Sequence, residues 1–211
     1  DGDTADDLLV HADLALYASK GAGRARFSFF EPHLGARARE RLELRDELRV
    51  ALKTNELSVH YQPIVDLKTS RIVAREALIR WHHPDKGAIP PSLFIPIAEE
   101  FGLMDAITKF VLKSACEDAG QWPDQARVAV NLSATNFRSA TLASDIIELL
   151  SDMQLPANRL ELEVTETALL EASEDSIGAL QELRRSGVNI ALDDFGTGYS
   201  SLSYLAQFPL D

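Results

Sequence analysis

The chain has 211 residues, with 33 Asp and Glu against 21 Lys and Arg and a formal charge of −12 at pH 7, which excludes general nucleic-acid binding because neutralising phosphates needs a basic surface. Its 45% hydrophobic and 26% charged residues are those of a globular domain, and the single cysteine, Cys116, excludes an internal disulfide framework or a thiolate zinc cluster and makes a reducing, cytoplasmic setting the expectation. No run approaches the ~18 continuous apolar residues of a membrane span, so no membrane contact is expected from this segment, and a start at Asp1 rather than Met reads as a piece of something longer.

Along the chain, Asp6 to Lys20 reads as a helix, with Leu8, Leu9, Ala12, Ala15 and Leu16 at three- and four-residue steps before Gly21 and Gly23. Arg37 to Leu52 is highly charged and spaces Leu44, Leu48 and Leu52 by four; it reads as a connecting helix or, more plainly, as a linker. From Leu57 onward, short β-branched runs alternate with longer helical ones, the pattern of an α/β domain with a mostly parallel sheet. Strands are predicted near 57–64, 71–80, 126–132, 159–165 and 188–193. Helices are predicted near 91–101, 104–120, 138–153 and 174–186, with a last one from about Ser200. Gly102, Gly120 and Gly187 fall where three of these helices would take a left-handed cap.

Side chains alternate faces along a strand. Val128, Val130 and Leu132 therefore share a face that leaves Ala129, Asn131 and Ser133 opposite. Leu160, Leu162 and Val164 oppose Glu161 and Glu163, and Val188, Ile190 and Leu192 oppose Asn189, Ala191 and Asp193. If helices cover the apolar face, the other face points into a barrel and presents Asn131, Glu163 and Asp193 near the strand C-termini, where barrel enzymes place their chemistry. Ala74, Glu76, Leu78 and Arg80 share parity and add a carboxylate and a guanidinium to that interior.

Converging buried carboxylates repel one another unless they are protonated, paired or metal-bound. The plain alternative is that these acids face water on an antiparallel sheet. The agreement of four strands favours a metal site instead. Its Glu, Asn and Asp oxygens suit a hard cation such as Mg²⁺ or Mn²⁺ rather than zinc. Two such ions can hold a phosphodiester and activate a water.

The runs Tyr61-Gln62-Pro63-Ile64-Val65, Glu76-Ala77-Leu78-Ile79-Arg80-Trp81, Phe94-Ile95-Pro96-Ile97-Ala98-Glu99, Val130-Asn131-Leu132-Ser133, Glu163-Val164-Thr165-Glu166 and Asp193-Asp194-Phe195-Gly196-Thr197-Gly198-Tyr199-Ser200-Ser201 together resemble the EAL domain family. The resemblance implies a modified TIM-type (β/α) barrel with an antiparallel first strand, hydrolysing cyclic di-GMP to linear pGpG with two Mg²⁺ or Mn²⁺ ions in bacterial second-messenger signalling. By motif it implies Glu76, Asn131, Glu163, Asp193 and Asp194 as metal ligands and Gln62 and Arg80 as substrate contacts. It also implies Glu166 as the anchor of the loop 194–201, and a homodimer formed through the domain. Ala12-Asp13, Ala15-Leu16-Tyr17, Lys20 and Gly23-Arg24 are similar to the end of a GGDEF (diguanylate cyclase) domain, with Ala25 where that family usually has Asn. The expected organisation is therefore a GGDEF-like remnant over 1–32, a connecting helix over 33–55 and the barrel over 56–211, with any membrane tether lying upstream.

Ala74 and Arg75 stand where the family usually has Gly and a small residue, and Phe101 replaces a usual small polar residue. The family continues past Asp211 into a strand with a Lys-x-Asp pair and strands supplying a further Glu and Gln. The barrel is therefore expected to be C-terminally incomplete here, and residues 1–211 alone to be inactive. A cyclic di-GMP sensor that binds without cutting is the alternative, and an unrelated divalent-metal barrel enzyme a third reading. His82 and His83 are expected in a turn after the strand, Cys116 as a buried thiol, and Trp81 and Trp122 as packing residues.

Overall fold

In the computed structural model the residues described are 4–21, 27–170, 173–194, 196 and 208–210. The chain divides into two compact units, residues 1–50 and 51–211. The first holds α1 (Ala5–Gly21) and most of α2 (Pro32–Ala51). Thr4 starts α1 reciprocally: the Asp7 N–H donates to Thr4 Oγ1 and the Thr4 N–H to Asp7 Oδ2, both over 3.1 Å, which satisfies amides that have no partner inside the helix. His11 stacks on Phe30 with ring centroids 3.6 Å apart. Leu44 and Leu48 of the predicted stripe are buried, whereas Leu8, Leu9 and Leu16 of α1 are exposed.

The second unit is built on a six-stranded sheet: β1 (Leu57–Val65), β2 (Ile72–His83), β3 (Gly87–Ile89), β4 (Arg127–Leu132), β5 (Leu160–Thr165) and β6 (Asn189–Asp193). The order is β1-β2-β4-β5-β6 with β3 paired to β2; β1 is antiparallel to β2, and β2, β4, β5 and β6 run parallel. That is the expected (β/α)-barrel order with a reversed first strand. Among the described residues the sheet is open, with no strand on the far edge of β6.

Helices α3 (Pro91–Glu100), α4 (Met104–Gln121), α5 (Leu142–Asp152), α6 (Glu166–Leu170) and α7 (Glu174–Arg185) follow the strands. The apolar strand face is fully buried at Val128, Val130, Leu160, Leu162, Val164 and Ile190, as are Ala115 and Ala119 of α4 and Leu180 and Leu183 of α7. Each of these Val, Leu and Ile side chains contributes roughly 1.5–3 kcal/mol when taken from water, which is why the opposite face is left for the polar residues. Trp81 packs edge-on against Phe94 with centroids 5.5 Å apart and donates its Nε1–H to Glu56 Oε2. Trp122 lies under the Arg75 guanidinium, which forms a two-pronged pair with Asp124 at 2.9 and 2.8 Å. Both tryptophans pack as expected. Cys116 is buried, and that burial pushes its thiol pKa up to about 12.

Several expectations are corrected. Gly102 and Gly187 take positive φ, but Gly120 lies inside α4, which ends at Gln121 with Trp122 extended. The helix predicted over 138–153 starts only at Leu142, as α5, and ahead of it Ala134–Arg138 forms a 3-10 turn capped by the Ser133 side chain. The short β3 and α6 carry too few residues for periodicity to reveal. β2 runs on to His83, so His82 lies on a strand; only His83 serves the turn, its Nδ1 accepting from the Asp85 and Lys86 amides. The predicted helix from Ser200 lies outside the described residues.

Candidate active site

The polar residues of β2, β4, β5 and β6 form a staircase. Glu76 is level with Ala129, Asn131 is level with Glu163 two residues higher, and Asp193 is level with Thr165 two residues higher again. Strands that tilt around a barrel are staggered in register, so residues near one height come from successively later strand positions. Across the step, Asn131 Nδ2 donates to Glu76 Oε1 over 2.8 Å. Gln62 of β1 is directly paired with Glu76, and Arg80, four residues along β2, donates from Nη1 to the Ile79 carbonyl over 2.9 Å.

Glu163 stands between the other acids. Burial pushes its pKa up to about 7, with further contributions from the charges of Glu76, Asp193 and Glu161. Glu161 is offset by a cation: Arg127 Nε lies 2.9 Å from its Oε2. At the end of β6, Asp194 has φ +54 and its N–H donates to Asp193 Oδ1 over 2.8 Å, turning the chain sharply out of the strand. Glu166, at the start of α6, is 1% exposed, and its Oε2 accepts from the Gly196 N–H over 2.9 Å. The remainder of the loop expected to hang on Glu166, residues 195 and 197–201, lies outside the described residues.

The donor chemistry fits a hard divalent cation: carboxylate and amide oxygens, and a carboxylate whose charge its neighbours oppose. Among the described residues, however, no three His, Cys, Asp or Glu side chains are gathered closely enough to hold an ion. Glu76, Asn131, Glu163 and Asp193 share one face of the sheet without closing on a single point, and Asp194 follows the end of β6. The Asn131 amide N–H spends itself on Glu76.

Two supporting contacts were not predicted from the sequence. Ser133 Oγ–H donates to Glu99 Oε1 over 2.6 Å, tying the end of β4 to α3. Asn136 is 1% exposed; its Oδ1 accepts from the Ser133 N–H and from Thr108, and its Nδ2 donates to Asp105. Their signal was the Ser-x-x-Asn spacing after a strand, which marks a capped turn. A cleft of about 270 Å³ between β2, α3 and α4 reaches Arg80, Asn131 and Glu99.

An α/β sheet of this order, with its acids and amides at the C-terminal ends of parallel strands, defines a barrel-type protein whose chemistry sits at the strand mouths. The EAL domain model matches residues 45–211, and the chain belongs to the EAL domain family. It is 43% identical over 217 residues to "Cyclic di-GMP phosphodiesterase NbdA" of Pseudomonas aeruginosa, covering 100% of this chain and 28% of that protein. It is 41% identical over 213 residues to "Bifunctional diguanylate cyclase/cyclic di-GMP phosphodiesterase MucR" of the same organism, covering 99% and 31%. Among solved structures, "PaMucR Phosphodiesterase, c-di-GMP complex" matches with TM-score 0.75 and 40% identity over 80% of this chain and 70% of that one. The chain spans about a quarter of the length of the first curated relatives it matches.

Proposed function

We propose that this chain carries the catalytic domain of a cyclic di-GMP phosphodiesterase, which opens the cyclic dinucleotide to linear pGpG. The observation that carries the reading is the staircase from Glu76 through Asn131 and Glu163 to Asp193, taken with membership of the EAL family.

In this reading Glu76, Asn131, Glu163, Asp193 and Asp194 would hold two Mg²⁺ or Mn²⁺ ions. Such ions supply a nucleophilic water and stabilise the leaving oxygen of a phosphodiester. The chain's own residues do the rest. Asn131 orients the Glu76 carboxylate through its amide, and the Arg80 planar fork receives a phosphate oxygen. Gln62, level with Glu76, contacts the substrate. Glu166 holds Gly196, and through it the turn after Asp194, at the edge of the site. A GGDEF-like segment over 1–32 and a connecting helix over 33–55 precede the barrel, a second copy docks through the EAL domain, and the protein signals from the cytoplasm.

The test is incubation of the completed EAL domain with cyclic di-GMP and Mg²⁺ or Mn²⁺, with the products separated by chromatography. Linear pGpG from the wild type and none from Glu76→Ala is the expected result. Hydrolysis unaffected by that substitution overturns the assignment.

A further inference from the structure

The face of β1 and β2 that carries Gln62 and Glu76 also carries His60 and His82, both exposed. His60 is paired with Leu78, and His82 lies four residues further along β2, a separation of ~13 Å at about 3.3 Å per residue. Their imidazole centroids are nevertheless 6.4 Å apart, with the rings within 30° of parallel. The two side chains therefore lean toward each other over the intervening Ser58–Arg80 pair, where the short Ser58 side chain leaves room.

That spacing is close to what one planar ring needs. A base in contact with a ring on each side requires about 6.8 Å between them, twice the roughly 3.4 Å rise between stacked bases. A metal site is the competing use of two imidazoles, but among the described residues no third His, Cys, Asp or Glu joins them. Nearer the carboxylates, Arg80 is suited to phosphate. We propose that His60 and His82 form a clamp that sandwiches one guanine base of the cyclic dinucleotide at the mouth of the site, with Arg80 beneath it toward the phosphate. This rests on the cyclic di-GMP reading above.

The experiment is titration of the full chain with cyclic di-GMP in EDTA, comparing the wild type with His60→Ala/His82→Ala and with His60→Phe/His82→Phe; thermal melts confirm that all three fold. Stacking on aromatic side chains is worth enough to predict a Kd about ten-fold or more higher for the alanine pair. The phenylalanine pair, which stacks but donates no hydrogen bond, is expected within about two-fold of wild type. Alanine-pair binding equal to wild type overturns the clamp. So does a phenylalanine pair as weak as the alanine pair, since that result assigns the imidazoles to hydrogen bonding. A wild type that does not bind cyclic di-GMP overturns the functional reading as well, and so separates the two failures.

Discussion

Asn131 and Glu76, 55 positions apart in the chain, meet through a 2.8 Å bond from the Asn131 amide to a Glu76 carboxylate oxygen, across two neighbouring parallel strands. The bond links residues that are not level in the ladder, so it reports the stagger of the strands directly. Replacing the amide by Asn131→Asp sets a second carboxylate against Glu76. The ion-free variant is expected to be less stable than wild type by about 1–2 kcal/mol. Its melting temperature should rise more than wild type's when Mn²⁺ is added, because the cation relieves a larger repulsion; scanning fluorimetry in EDTA and in Mn²⁺ measures both.

Glu163 makes the ion-free fold sensitive to pH. Its folded pKa of about 7 lies above the ordinary 4.5, so between those values the folded chain holds a proton that the unfolded chain has released. Stability therefore falls as pH rises through this window, by roughly 1–3 kcal/mol for a half-buried group. Glu163→Gln removes the effect: in EDTA the variant is expected to match wild type near pH 5 and to exceed it at pH 8. Urea titrations at the two pH values check this, and an equal gap at both would contradict it.

Glu166 is buried and takes the Gly196 amide. In Glu166→Ala that amide loses its acceptor, at a cost of about 1–3 kcal/mol. Hydrogen exchange at Gly196 should accelerate while amides in β4 and β5 keep their protection. In the completed domain, phosphodiesterase activity is expected to drop with the Mn²⁺ affinity little changed, which separates a residue that positions the turn from one that binds the ion.

Arg159 supports the fold from the other end of the sheet. It is 6% exposed, and it donates to the carbonyls of Ala126 and Ala119, each over 2.9 Å, and to Gln125 Oε1 over 3.1 Å. Arg159→Met removes these three hydrogen bonds, two of them to buried carbonyls, and is expected to cost about 2–4 kcal/mol. In the completed domain, activity per folded molecule should be retained, since Arg159 precedes β5 whereas Glu163 lies toward the C-terminal end of that strand. Equilibrium unfolding and an active-fraction assay measure the two parts.

The faces of the strands were legible from residue order alone, because alternation at a period of two is a property of extended backbone. Val128, Val130, Leu160, Leu162 and Ile190 are buried as that alternation requires, and Asn131 and Glu163 lie side by side on the face opposite. Recognition of the family rested on the same local runs. What residue order did not carry was height. The two-residue steps that bring Asn131 to Glu76, the lean that brings His60 to His82, and the reach of Glu166 to Gly196 depend on strand tilt and helix packing. Those are set by how whole elements fit against one another, and no window of neighbouring residues contains that information.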